Sequence, residues 1–133
     1  MNIETIIDND SVALYFHPDD RIIHHVFKRS AEGPPLREMF LAGLDLIRSR
    51  GAFKWLSDDR EFPIWSSDDA IWARSEWEPK ALAAGWKYWA VVMPIRVMAR
   101  MNLDDIITRS AENGLTVRSF EDPNDAYDWL RNC

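Results

Sequence analysis

The chain of 133 residues predicts a single α/β domain that opens with a β-hairpin and then alternates helix and strand. Three observations carry this. Residues 12–17 and 21–27 are rich in β-branched and aromatic side chains and flank the turn-forming Pro18, Asp19 and Asp20. Stretches of helical periodicity then follow, several opened by proline and closed by glycine. The run 86–93 is the most apolar of the chain and lies between two helical stretches, the context of a strand buried on both faces of a parallel sheet. That places it at the sheet centre.

After the hairpin, Pro34 and Pro35 mark a helix start, and Leu36, Met39, Phe40, Gly43, Leu44 and Ile47 recur at helical spacing until Gly51. Residues 53–57 are short and apolar and run into Asp58, Asp59, Arg60 and Glu61, so they read as a core strand that delivers charges to its exit loop. Ser66, Ser67, Asp68 and Asp69 form a helix start, with a hydroxyl to accept from free N–H groups and carboxylates at the positive dipole end. This second helix runs towards Gly85, with a kink or restart expected near Glu78 because Pro79 removes a helical hydrogen bond. Pro94 opens a third helical region that Gly114 closes, with Asn102 able to break it and cap a second segment. Residues 115–120 alternate as an edge strand does, and Asp122 with Pro123 begins a last helix docked by Ala126, Trp129 and Leu130. The order is ββαβαβαβα. The right-handed crossover rule makes the last four strands a mostly parallel sheet, with the first strand antiparallel at one side.

Composition narrows the function classes. With 47% hydrophobic and 29% charged residues the chain has a globular balance, and a net charge of −6 opposes binding to a phosphate backbone, so no nucleic-acid partner is expected. The single cysteine, Cys133, has no partner for an intramolecular disulfide. No run approaches the roughly 20 apolar residues of a bilayer span, and residues 1–8 lack the basic and apolar stretches of a secretion signal. A soluble cytoplasmic protein without integral membrane association is the expectation.

The order of elements resembles the STAS fold of bacterial anti-sigma-factor antagonists. Lys54, Trp55, Leu56, Asp58 and Arg60, then Trp72, Trp77, Pro79, Ala81 and Gly85, then Ala90, Val91, Val92 and Pro94 are similar in spacing to small bacterial STAS-like proteins of unassigned activity. The resemblance implies a mixed, mostly parallel sheet with packed helices. It also implies a phosphorylatable serine at the start of the helix after the third strand, which falls on Ser66 or Ser67. The antagonist pattern of Asp-Ser followed closely by Gly is absent, and two neighbouring acids would repel a phosphoserine, so a plain helix cap is the alternative.

Asp58, Asp59 and Arg60 sit at the carboxyl end of a strand, where open α/β sheets place ligands. They read either as a contact site for a polar ligand or partner, or as an Asp–Arg pair that orders the loop, with Glu76 as a further partner. Of the seven tryptophans, Trp72 shares a helical stripe with Ile71, Ser75, Pro79 and Leu82, whereas Trp77 is turned well away at about 100° per residue. Both cannot face the sheet equally. One of them, with Trp65, is expected to line a cleft or a protein contact, the alternative being Trp65 folded back over the core. His24 and His25 are adjacent on a strand and point to opposite faces, and no ligand spacing supports zinc, so neither metal nor cofactor is expected. No nucleophile elbow, glycine-rich phosphate loop or comparable motif identifies a reaction.

Two functional expectations lead, ahead of a third, an enzyme acting through Asp58 or Asp59. One is a non-enzymatic regulatory or protein-interaction module, using the loop 58–67 and the start of the second helix. The other is a small-molecule or lipid-binding domain in which Trp65, Trp72 or Trp77, with Met93, Met98 and Met101, line an apolar pocket. A homodimer is a further expectation, because one of Trp72 and Trp77 is left for an outside contact.

Overall fold

The computed structural model describes residues 2–28, 33–63 and 65–133. Six strands form one sheet in the order in which they occur in the chain: β1 (Glu4–Asp8), β2 (Val12–His17), β3 (Ile22–Phe27), β4 (Lys54–Asp58), β5 (Tyr88–Val92) and β6 (Thr116–Phe120). The first three are antiparallel neighbours, and β3 through β6 are parallel. The result is a mixed-sheet α/β fold with packed helices.

The hairpin of β2 and β3 lies where the apolar pattern puts it. Strand β1 is an addition to the expected order. It is short, largely exposed and bulged between Thr5 and Ile7, so it lacks the alternation that identifies a half-buried strand. Its local signal is the turn behind it: the Asn9 side chain accepts from the N–H groups of Ser11 and Val12 at 2.9 and 3.0 Å, which reverses the chain into β2. Strand β5 is buried on both faces as expected, yet it is fifth of six and neighbours the edge strand β6; β3 and β4 hold the centre. The extra antiparallel strand on the hairpin side is what moves the centre.

Three connections between parallel strands carry helices, and all three cover the same face. They are α1 (Pro34–Arg50), the pair α2 (Ser67–Trp72) and α3 (Glu78–Ala84), and α4 (Val97–Glu112). Right-handed crossovers that progress in one direction along a sheet leave their helices on one side. The opposite face is covered by α5 (Pro123–Arg131), whose Ala126 and Leu130 pack on Ile22, Leu56, Ala90 and Val92. Helix α1 packs directly on the sheet at Gly43, where a Cβ would lie 2.1 Å from the Trp55 ring. Glycine there makes room for the indole.

Helix α4 is continuous through Asn102, because nothing in its residues forbids the helical conformation and asparagine only lowers the propensity. Between α2 and α3 the chain makes a π-helical turn, Ala73–Trp77, and α3 begins at Glu78, where the restart was expected. The π-turn overturns the separation of the two tryptophans. A wider turn advances each residue by about 80° and not 100°, so five residues bring the side chain back to within roughly 50° of its starting direction. Trp72 and Trp77 therefore both pack on Phe40, with ring centroids 6.4 and 4.7 Å away. Ile71, expected on the inner stripe, is 52% exposed instead.

Candidate ligand-binding cavity

The helix-covered face of the sheet is built from large rings. Period-two alternation sends His25 and Phe27 of β3, Trp55 and Ser57 of β4, and Trp89 of β5 to that side. Phe40 of α1 and Trp77 of the π-turn meet them from above, and Trp86 closes the end near α3. Such rings do not tile the space between sheet and helices. They leave a cavity of about 280 Å³, bounded on its far side by Leu103 and Ile106 of α4. Exposed Arg74, Arg109 and Glu112 and the half-buried Glu78 border it towards solvent.

One hydrogen-bonded chain crosses the floor. The Trp55 Nε1–H donates to His25 Nδ1 at 2.9 Å, and His25 Nε2 lies 2.7 Å from Asp59 Oδ1. An indole nitrogen can only donate, so Nδ1 must accept, and the imidazole carries its proton on Nε2 and donates it to Asp59. Asp59 is 1% exposed, and burial pushes its carboxyl up; His25 opposes that and the neighbouring Asp58 adds to it. Its second oxygen takes part in no hydrogen bond among the described residues.

Ser57 accepts from the Trp89 indole N–H at 2.7 Å, and its own O–H donates to no group among the described residues. Serine, histidine and aspartate thus share one cavity without forming a nucleophilic triad. Both His25 nitrogens are committed, to Trp55 and Asp59, and neither is left to take a proton from Ser57. The remaining indoles divide in the same way. Trp77 donates to the Phe40 carbonyl at 2.7 Å and Trp86 to the Tyr88 carbonyl at 3.1 Å, but Trp65 Nε1 is buried without a partner. A buried donor without an acceptor costs about 1–3 kcal/mol.

The residues singled out from sequence separate. Asp59, Trp65 and Trp77 line the cavity. Asp58, one residue earlier, ends β4 on the α5 side of the sheet, where it accepts from Arg60 Nε and Nη2 at 2.9 and 2.6 Å. The run 58–60 is therefore not one cluster but two groups on opposite faces, and Arg60 has no ion pair with Glu76 among the described residues. Trp72 lies outside the lining, packed on Phe40 and under the Arg37 guanidinium at 5.2 Å. Met93, Met98 and Met101 do not line the cavity either: Met93 is buried in the core beside it, and Met98 and Met101 face solvent. Ser66 is the helix cap, accepting from the Asp69 N–H at 3.1 Å, and Ser67 is exposed beside it. Ile64, inside the loop 58–67, lies outside the described residues.

His25, Trp55, Ser57, Trp86 and Trp89 were not singled out as site residues. The signal that finds four of them is the strand period: once β3, β4 and β5 are in parallel register, His25, Ser57 and Val91 stand side by side, as do Trp55 and Trp89. Among the described residues no three His, Cys, Asp or Glu side chains are grouped to hold a metal, and no helix is long and apolar enough to cross a membrane. Compared with protein-family models, curated proteins and solved structures, the chain matches none.

Proposed function

We propose that this domain binds a small, mainly apolar organic molecule in the cavity between the sheet and helices α1, α3 and α4. The observation that carries the reading is the combination of an aromatic-walled space with polar groups on its lining that have no partner among the described residues: the Ser57 O–H and the second Asp59 oxygen. Ligand sites have this composition, a largely apolar lining with sparse, fixed polar groups. The size suits a compact molecule of one or two rings and not a long lipid chain. The π-turn supports the reading as well, because it brings Trp77 to the wall, and such turns recur at functional positions.

A regulatory or protein-interaction module is the second reading, and a different observation favours it. Ile95, Val97, Met98 and Met101 at the start of α4 form an exposed apolar group, with Met98 at 78% exposure. On this reading the contact face lies on α4 and away from the loop 58–67. A STAS-like relationship belongs with this second reading, supported by the hairpin followed by alternating units and by the cap at Ser66.

Native mass spectrometry of the protein purified from its own host separates the two. The cavity reading expects a retained small molecule that is absent from Ile106→Trp, a substitution that fills the space from α4. A protein that arrives ligand-free and bound to a stable partner, with the partner lost on Met98→Asp, would replace it with the interaction module.

A further inference from the structure

We propose that the cavity selects an organic cation, an amine or quaternary ammonium group, with the Asp59 carboxylate as its counter-charge and the indole rings as the box around it. This rests on the cavity being a ligand site.

Two independent features point to a cation. The first is the state of Asp59. A carboxylate removed from water needs a cationic partner or a full set of donors. Among the described residues Asp59 has neither: Trp55 holds His25 in its Nε2–H tautomer, so the one side chain bonded to Asp59 there supplies one hydrogen bond and no positive charge. The exposed Arg74 and Arg109 border the cavity at its solvent side, and neither is hydrogen-bonded to Asp59 among the described residues. The second feature is the wall. Trp55 and Trp77 cross at 85°, Trp77 and Trp86 at 60°, and Trp86 and Trp89 at 61°. Successive rings are turned against one another around the space that all four line. A desolvated cation over indole faces gains about 2 kcal/mol beyond its burial.

This space is faced by the neutral imidazole of His25 from β3 and by the charged groups Asp59 after β4, Arg74 of the π-turn, Glu78 at the start of α3, and Arg109 and Glu112 from α4. Asp58 adds its charge from the other side of the sheet. Glu78 is occupied, accepting from Ser110 Oγ at 2.6 Å and Asn113 Nδ2 at 3.1 Å. The outer residues carry two charges of each sign, and Asp59 sets the sign inside. Burial raises the Asp59 carboxyl in the empty cavity, so a cation, which needs the ionised form, binds more tightly as pH rises through that titration and levels off above it. A neutral ligand bonded to the protonated carboxyl shows the opposite trend.

Calorimetric titration of the full chain with choline and with its uncharged carbon isostere, 3,3-dimethylbutan-1-ol, tests this. The expected result is choline bound at least about tenfold more tightly at neutral pH. That advantage should shrink as pH falls and vanish in Asp59→Asn, whose amide oxygen still accepts from His25. If the isostere binds equally well or better, or if Asp59→Asn leaves the preference intact, the cation assignment is overturned and the cavity reading stands. If neither compound binds, and indole used as a neutral aromatic probe does not bind, both fail.

Discussion

The two faces of the sheet solve the same packing problem differently, and adjacent residues show it. His24 and His25 leave β3 in opposite directions. His25 enters the aromatic face with both ring nitrogens bonded, to Trp55 and Asp59. His24 enters the α5 face, where Nδ1 lies 3.3 Å from His17 Nε2 and Nε2 is buried without a partner. The α5 face closes on small and aliphatic buried side chains, Ala90 and Ala126 among Ile22, Leu56, Val92 and Leu130, with the partly buried Tyr88, Phe120, Tyr127 and Trp129 packed against them. The helix-covered face uses indoles, whose fixed shapes leave space between them. Close packing on one side anchors the sheet while the other side holds a cavity.

The largest effects should come from trimming each face. Leu130→Ala removes a fully buried side chain from the close-packed face and should cost about 4 kcal/mol, whereas Leu103→Ala, which borders the existing cavity, should cost about 2 kcal/mol. Urea denaturation midpoints read the difference; equal losses would mean that the two faces are packed alike.

Acid titration sharpens the contrast between the faces. Burial is the main cause that pushes His24 down from 6.5 to about 4, with His17 and His25 adding to it. The unfolded chain then binds the extra proton first, so this stabilisation is present above pH 6.5 and is lost as pH falls towards 4. The difference corresponds to at most about 3 kcal/mol, and His24→Gln should flatten stability across that window. Asp59 acts in the opposite sense. Its carboxyl is raised above 3.8, so its contribution is full below that value and is lost as pH rises through the folded-state titration. Asp59→Asn should therefore stabilise the protein at neutral pH by on the order of 1 kcal/mol while abolishing ligand selectivity. A destabilised Asp59→Asn protein would show that the carboxylate serves the fold and not a ligand.

The smallest effect distinguishes the two serines. Ser66→Ala removes the cap of α2 and should cost about 1 kcal/mol, and Ser67→Ala should be nearly neutral. Thermal unfolding checks both.

Much of the fold was legible because local patterns agreed with it. The prolines at 34 and 35 and the left-handed Gly51 bracket α1, and the apolar runs mark β2 to β5. Strand β1 escaped because an exposed edge strand has no buried face to impose alternation. The π-turn escaped because a spacing rule that assumes 3.6 residues per turn cannot register an extra residue, and that error turned Trp77 the wrong way. The site was legible only in part. Asp59, Trp65 and Trp77 stand out by residue type, but His25 meets Asp59 across 34 positions of chain through strand register, which no local pattern reports.

The most direct test of the account uses the tryptophans on both faces as internal reporters. In an amide and indole nitrogen–proton NMR titration of the full chain with benzyl alcohol, the indole resonances of Trp55, Trp65 and Trp89 should shift together and saturably. Trp129, which packs from α5 on the other face, should stay fixed. A Trp129 signal that moves as much as these, or cavity indoles that do not move at all, would contradict the claim that the aromatic face of this sheet is built to hold a ligand.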